Sequence, residues 1–465
     1  MQHIHFVGIG GIGVSAVAEL AIHNGITVSG QDISPSSTIS RLQSLGAKIQ
    51  LGSFGLPDEP VNAVVRSTAI KDDHPAIIAG RNASIPIIHR SEFLQHLASG
   101  KQTIAITGTH GKTSTAALIT HMLEKLGLKP SAAIGGVLLE FGTNALSGTG
   151  SLIVIEADES DGTFLNYEPY ISIVTNIDRD HMDFYGTQDQ QYIAFKKFMD
   201  KTSDEGACIV CWDNRDLRNL SEGLASRLTY GSALGSEIRL IKSTPDKACV
   251  YFEAVVERDL VKCNLPMMGR HNVLNALAAL AVARCLELDV HAASDALESF
   301  QGVEKRMNLL YESDELKILM DYAHNPGKVA AAIAAVNDGF PDHRLLVVFQ
   351  PHRFSRLEST FEEQANAFHE ADSVFVTSVY GAGEAEIAGV NHQTLASAIE
   401  KQSHINVTAV DEYSDVIRLL HESVKVSKQA CVILIVGAGD IYHLGPDLVS
   451  FFQRSIRGAE TKSRK

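Results

Sequence analysis

The chain has 465 residues, 45% hydrophobic and 20% charged, with 55 acidic against 40 basic side chains and a formal net charge of −15. At about 150 residues per domain this predicts about three domains, each with enough apolar residues for its own core. The charge excludes a general nucleic-acid binder, which needs a basic face, and no apolar run approaches the roughly 20 residues of a membrane-spanning helix.

The first hundred residues alternate strands and helices. "HIHFV" reads as a strand, followed by a helix from Gly13 to about Asn24; "TVSG", "NAVVRS" and "IPIIH" read as later strands. This pattern predicts a parallel, doubly wound sheet. The chain enters its first strand with no basic n-region, so no signal peptide is expected. Gly8, Gly10 and Gly13 form G-x-G-x-x-G between strand and helix. Glycine there permits a tight turn and a close approach to a pyrophosphate, with the helix N-terminus supplying unpaired N–H groups. A dehydrogenase would want an acid at the end of the second strand, about 20 residues on. Both Gln31 and Asp32 lie in that region, so this check is ambiguous. The plain alternative is a packing turn without ligand.

Polar "ASGKQ" separates this unit from the next. Strand "TIAIT" then leads through "GTHGKTS" into a helix from Lys112 to about Leu126. The usual phosphate loop reads G-x-x-x-x-G-K-[ST]. Here its first glycine would fall at Ile106, and the nearest is Gly108. The shortened loop still points backbone N–H groups inward, with Lys112 for the β- and γ-phosphates and the Thr113 hydroxyl for Mg²⁺. "SLIVIEADESDG" places Glu156, Asp158, Glu159 and Asp161 after an apolar strand, where open α/β sheets bind ligands. Glu156 could share Mg²⁺ with Thr113, and four such acids repel without a nearby cation; a solvated acidic loop is the alternative. Strand "ISIVTNI" delivers Asn176 and His181 to the same edge. Cys208 and Cys211 form a C-x-x-C, but they flank "IV" in an expected buried strand and have no second pair at zinc spacing. They read as reduced, buried thiols of a cytoplasmic protein. The unit closes with the helix "NVLNALAALAVARCLEL" and ends near "GVEKRMNLL".

A third alternation starts near Leu316, with strands "KILMDYA", "RLLVVF", "SVFVTS", "NVTAV" and "CVILIVGAG" separated by helices. The polar tail "RGAETKSRK" reads as a frayed terminus. The expected class is α/β: a Rossmann-like unit over 1–98, a central P-loop-type ATPase with a mostly parallel sheet over 99–309, and a Rossmann-like unit over 310–465.

With these stretches in view, the chain resembles the Mur ligase family of peptidoglycan-precursor enzymes over essentially its whole length. The resemblance rests on "HFVGIGGIGVSAVAEL", "GTHGKTST", "EADESDGTFL", "TNIDRDHMDFYG", "GRHNVLNALAA", "DYAHNP" and "FQPHRFSR", in family order. It is nearest the members that join L-alanine to UDP-N-acetylmuramate. It implies a UDP-sugar-binding first domain, an ATPase centre and an amino-acid-binding third domain, so one glycine loop serves the UDP diphosphate and the other ATP. It also implies that the short loop is the family's own form. The implied reaction phosphorylates the lactyl carboxylate with ATP and lets the amine of L-alanine attack the acyl phosphate, with no nucleic-acid or membrane partner.

Residue by residue, the resemblance assigns Gly108, Thr109, His110, Gly111, Lys112, Thr113 and Ser114 to the ATP phosphates, with Thr113, Glu156 and His181 as Mg²⁺ ligands. Asn272 and Asn275, one helical turn apart, are matched to the adenine, and Arg306 and Asp321 to the remainder of ATP. Gly8, Gly10, Gly11, Ile12, Gly13, Ser15, Asp32, Ser67, Glu159 and Ser160 are assigned to the substrates, as are His324 and His352. Lys112, Glu156, His181, Arg353 and Arg356 are expected to be catalytic; the two arginines would grip a carboxylate, unless they are plain surface charges.

Two positions depart from the alanine-adding pattern. Asn325 replaces its usual second histidine, and Lys196, 15 residues after His181, matches a lysine that sister ligases carbamoylate. Tyr192, Phe195 and Phe198 make an apolar stripe beside Lys196, but an exposed cation is the favoured expectation there. Three other functions compete: a recycling ligase taking a murein tripeptide, a nucleotide sensor without turnover, and a dehydrogenase. The set of Lys112, Glu156 and His181 argues against the sensor, and the second loop argues against the dehydrogenase.

Overall fold

The computed structural model describes residues 1–52 and 54–463, with side chains through Arg454. It is an α/β protein of three domains, each built on its own sheet. The first sheet contains β1 (His3–Val7), β2 (Thr27–Asp32), β3 (Lys48–Leu51), β4 (Ala63–Arg66) and β5 (Ile87–His89), in the order β3-β2-β1-β4-β5. All its pairings are parallel. The order reverses at β1, and the crevice of a doubly wound sheet opens at such a switch point. The Gly8–Gly13 loop leaves β1 there and enters the helix Ile12–His23.

The second sheet has ten strands: β6 (Gln102–Thr107), β7 (Ser131–Leu138), β8 (Thr143–Leu146), β9 (Leu152–Glu156), β10 (Ile171–Val174), β11 (Ala207–Cys211), β12 (Arg227–Gly231), β13 (Ile238–Asp246), β14 (Cys249–Val256) and β15 (Asp259–Leu265). Their order is β15-β14-β13-β12-β11-β10-β6-β9-β7-β8. β6 lies between β10 and β9 and is parallel to both. In register, Ile106 pairs with Glu156 and Thr107 with Val174, so the ends of three strands meet at one edge. β6, β9 and β10 are nearly continuous apolar runs, as strands covered on both faces must be.

The third sheet contains β16 (Asn308–Glu312), β17 (Leu316–Asp321), β18 (Arg344–Phe349), β19 (Ser373–Thr377), β20 (Asn406–Val410) and β21 (Cys431–Val436), in the order β16-β17-β21-β18-β19-β20. β16 is antiparallel to β17, and the other pairings are parallel. Asp321, Val436 and Phe349 are level in register. β16 begins at Asn308, two residues before the expected boundary at 309/310.

By packing, the chain divides into two compact units. The first holds residues 1–243, 252–265 and 271–303; the second holds 244–251, 266–270 and 304–465. The first unit therefore contains both glycine loops.

The expected strands are present to within three residues at either end. The short edge strand β3 was missed, as were β7, β8, β12–β15 and β16. The C-terminal helix runs Leu444–Ser463, so the tail read as frayed is helical in backbone through Ser463, while 464–465 lie outside the described residues. Among the described residues no helix is long and apolar enough to cross a membrane. Cys208 and Cys211 are free and buried on β11, an odd number of residues apart, so their side chains leave opposite faces of the strand.

Candidate active site

The short phosphate loop is a left-handed turn clasped from the side by the chain that follows β10. Gly108 and Gly111 have φ of 129° and 83°, which side chains disfavour. A Cβ on Gly108 would lie 2.2 Å from the Thr175 hydroxyl, and one on Gly111 would lie 2.7 Å from Asn275 Oδ1. The Thr109 N–H donates to the Asn176 carbonyl (3.2 Å) and the His110 N–H to Asn176 Oδ1 (2.8 Å). Thr175 and Asn176 side chains donate in turn to the His110 carbonyl (2.6 and 3.0 Å). The His110 ring pairs with Asp178 at 2.9 Å. Asn176 thus supports the loop's shape. The helix Lys112–Lys125 starts at Gly111 without a side-chain cap, so its first-turn N–H groups carry the partial positive charge that attracts phosphate.

Thr113 donates its hydroxyl proton to Glu156 Oε1 (2.9 Å), and the Gly135 N–H donates to Glu156 Oε2 (2.6 Å). Gly135 has no room for a side chain, because a Cβ would meet the same carboxylate at 2.6 Å. The "GG" of β7 was the signal for this close approach, and sequence reading passed over it.

The acidic loop is not a solvated face. The Lys112 ammonium lies 2.7 Å from the fully buried Glu159 carboxylate and donates to the Gly108 carbonyl at 2.8 Å. Burial works against the ammonium, but Glu159 and then Asp158 outweigh it and raise its pKa. His181 Nε2 stands 3.6 Å from Glu159 Oε1, so the contact that brings it into the site is with Glu159. Asp158 faces Arg90 at 3.3 Å and accepts from the Ser160 N–H. Burial would raise its pKa, but Lys112 and Arg90 lower it. Asp161 accepts from the Thr68 and Thr163 hydroxyls. The repulsion expected among the four acids is thus relieved by protein cations, Lys112 and Arg90, and by hydroxyl and amide donors. Arg90 and Thr68 carried no local signal in the sequence.

Asn272 and Asn275 do share a helix face, and that face packs on the phosphate loop. Both are buried; Asn275 donates to Asn272 Oδ1 and accepts from the Thr115 hydroxyl, each at 3.0 Å. Ser114 lies in the first turn of the Lys112–Lys125 helix.

In the opening loop, the Gly10 N–H donates to Asp32 Oδ2 (2.8 Å), so of the two candidates at the end of β2 it is Asp32 that braces the glycine turn. Gln31 is buried, accepts from the Phe54 N–H and turns its amide to His5. Gly8 is left-handed at φ 69°, and a Cβ on Gly13 would meet the Arg90 guanidinium at 3.0 Å. Gly11 caps the helix, with Ile12 exposed at its start. Ser15 is buried and donates to the Ile12 carbonyl, with Asn144 Nδ2 at 3.4 Å, so its hydroxyl serves packing on β8. Ser67 follows β4 and its carbonyl accepts from the Ile70 N–H.

In the second unit the carboxyl edge gathers Asp321, His324, His352, Arg353 and Arg356. Asp321 accepts backbone N–H bonds from Met307 (2.9 Å) and Ala323 (2.8 Å), tying the segment before β16 to the strand edge. Arg306 lies over the Tyr322 ring at 5.1 Å. His324 sits between Tyr322 (5.4 Å) and His352 (6.0 Å), and His352 stacks on Tyr380 (5.5 Å, 17°). Burial first, then neighbouring cations, push His324 down to about 2 and His352 to about 4, so both rings are neutral. Arg356 donates to His352 Nδ1 at 3.0 Å, and His324 Nδ1 donates to the Tyr322 carbonyl at 2.9 Å. These bonds set the tautomers and leave His324 Nε2 as an acceptor. Asn325 caps the helix Pro326–Gly339, accepting from the Lys328 N–H at 2.9 Å.

These features are those of a three-domain α/β ligase fold in which two glycine loops each lead from a strand into a helix. The chain belongs to the Mur ligase family. It matches the family's catalytic domain over residues 3–102, its middle domain over 106–283 and its glutamate ligase domain over 305–439. It is similar to the UDP-N-acetylmuramate–L-alanine ligase of Desulforapulum autotrophicum, 39% identical over 96% of this chain and 98% of that one. Among solved structures it resembles the UDP-N-acetylmuramate–alanine ligase of Thermotoga maritima, with a TM-score of 0.84, 28% identity and coverage of 98% and 100%. A murein peptide ligase of Psychrobacter arcticus shares the fold with a TM-score of 0.69 at 22% identity, covering 97% and 98%.

Proposed function

We propose that this protein joins L-alanine to the lactyl carboxylate of UDP-N-acetylmuramate, converting ATP to ADP and phosphate through an acyl phosphate. One observation carries the ATPase half: Lys112, Thr113 and Glu156 converge on the phosphate loop, with hydroxyl and carboxylate 2.9 Å apart. The near full-length relatives at 39% identity support the substrate pair, and the lower likeness of the murein peptide ligase leaves the recycling reaction as the lesser reading.

The first sheet is assigned to the UDP-sugar, the second to ATP and the third to the amino acid, with the last boundary near 303/304. The Gly8–Gly11 N–H groups are spent on Gln31, Asp32 and Gly8, which braces the loop, and the first-turn N–H groups at Ile12 and Gly13 face the diphosphate. The first-turn N–H groups of the helix Lys112–Lys125 and the Lys112 ammonium hold the ATP phosphates. This requires Lys112 to exchange Glu159 for phosphate oxygens, an exchange of one anion for another that keeps its charge compensated.

The residues also fit Mg²⁺. Thr113 and Glu156 offer hard oxygen donors, and among the described residues no cluster of three or more His, Cys, Asp or Glu could cage a metal alone. Mg²⁺ characteristically takes one or two protein oxygens and completes its shell with water and phosphate. When bound, it supplies neutralisation of charge on the phosphate oxygens. His181, beside Glu159, would serve the acyl-phosphate side.

In the second unit, Arg353 and Arg356 grip the amino-acid carboxylate. His324, neutral with a free Nε2 acceptor, receives a hydrogen bond from the amine without adding positive charge. A cytoplasmic location belongs to the same reading, supported by the reduced state of the described cysteines.

The test is phosphate release from ATP with UDP-N-acetylmuramate, Mg²⁺ and a varied amine. L-Alanine should be fastest, with glycine lower by about tenfold for want of one methyl. Faster turnover with the tripeptide would reassign the protein as the recycling ligase.

A further inference from the structure

Arg353 is held by an acid from a different loop, Glu384. Arg353 opens the helix Phe354–Ser359 with φ at 70°, a backbone state that costs a non-glycine residue energy unless its surroundings impose it. They do so here. The Arg353 N–H donates to the Tyr380 carbonyl and the Tyr380 N–H to the Pro351 carbonyl, each at 2.8 Å. This stitches the segment after β18 to the loop after β19. Four residues on, Glu384 closes a turn whose central residues, Ala382 and Gly383, are both left-handed, with its N–H on the Gly381 carbonyl at 2.9 Å.

The Glu384 carboxylate then takes three bonds. Oε1 accepts from Arg353 Nε (2.5 Å) and the Ser355 hydroxyl (2.8 Å); Oε2 accepts from the Ser355 N–H (3.0 Å). Burial would raise its pKa, but the Ser355 bonds and Arg353 hold it at about 2, so it is an anion at every working pH. One carboxylate therefore supports the first turn of the helix and fixes the guanidinium by its inner edge.

We propose that Glu384 is a positioning residue for amino-acid recognition: it holds Arg353 by Nε and leaves the two Nη groups aligned to grip the substrate carboxylate. The proposal rests on the reading that Arg353 meets that carboxylate. An arginine that is nearly half exposed otherwise loses substantial rotamer entropy on binding, and the tether removes that loss beforehand.

The experiment is steady-state kinetics on Glu384→Ala, Glu384→Gln, Arg353→Lys and the double variant Arg353→Lys/Glu384→Ala, with melting curves for each. Glu384→Ala should raise KM for L-alanine about tenfold or more, while KM for ATP moves less than about threefold. Glu384→Gln keeps an Oε1 acceptor for Nε and should recover part of the loss. Because Glu384 acts through Arg353, the double variant should be no worse than Arg353→Lys alone. The proposal is overturned if Glu384→Ala leaves KM for L-alanine within about twofold, or if its penalty adds in full on the Arg353→Lys background. If Glu384→Ala fails to fold, Glu384→Gln alone and combined with Arg353→Lys completes the same cycle. An unchanged KM in Arg353→Lys would instead overturn the reading of Arg353 as a carboxylate ligand.

Discussion

Lys196 shows how one side chain's partner decides between two chemistries. It lies on the helix Gln188–Asp200, whose Phe195 and Phe198 are fully buried, as the apolar stripe predicted. Lys196 itself is partly exposed and ion-paired with Asp200 one turn on. Its partner is a surface carboxylate, so the geometry supports an ion pair rather than a carbamate. Lys196→Ala should therefore retain near-normal phosphate release and show no rescue by acetate or bicarbonate. A large loss, partly restored by a short carboxylate, would reinstate the carbamate. Asp200 was visible in the sequence at i+4, and that spacing alone already favoured the pair.

At the scale of elements, the strands β1 and β2 are joined by a polar relay that the sequence did not advertise. Gln31 Nε2 donates to His5 Nε2 (3.0 Å), His5 Nδ1 to the Ser29 hydroxyl (2.9 Å), and Ser29 to His3 Nε2 (2.8 Å). The relay requires a neutral His5, and burial, helped by His3, pushes its pKa to about 4. The unfolded chain therefore takes up a proton near pH 6.5 that the folded one refuses until about pH 4. His5 contributes stability that is present above pH 6.5 and lost as pH falls to about 4. Melting temperature should drop over that window, and His5→Asn should flatten the drop; an unaltered slope would remove His5 as a cause. The helix Pro326–Gly339 offers a second check. Its cap bond from the Lys328 N–H gives Asn325 a structural role at the position where histidine was expected. Asn325→Ala should cost about 1 kcal/mol in denaturant unfolding, and Asn325→Asp should cost little.

For the whole molecule, the two glycine loops stand at the edges of different sheets, one at the switch point of the first and one at the centre of the second. Their ligands should bind with roughly independent energies. Lys112→Ala should cut phosphate release on the order of 10²–10³-fold or more, because its charge faces the transferring phosphate. UDP-N-acetylmuramate affinity, measured by calorimetry, should stay within about threefold. A tenfold loss with an intact fold would place both ligands on one loop.

The strands that line the sites were legible because they are short apolar runs ended by glycine or acid, and their burial on both faces leaves little choice of period. β1, β18 and β20 were read to the residue. β3 was not, since "KIQL" at a sheet edge buries little and so carries no apolar run. β13–β15 alternate buried and exposed residues and form the far side of the sheet, away from any motif. Lys112, Thr113 and Glu156 were also legible, because a phosphate loop and a strand end impose residue types at fixed spacing. The partners of those residues were not. Glu159 on Lys112, Gly135 on Glu156, Arg90 on Asp158 and Glu384 on Arg353 are separated by between 21 and 68 positions in the chain. Local sequence specifies backbone turns and side-chain chemistry; which charge meets which is decided by strand order and register, and those exist only once the sheets have formed.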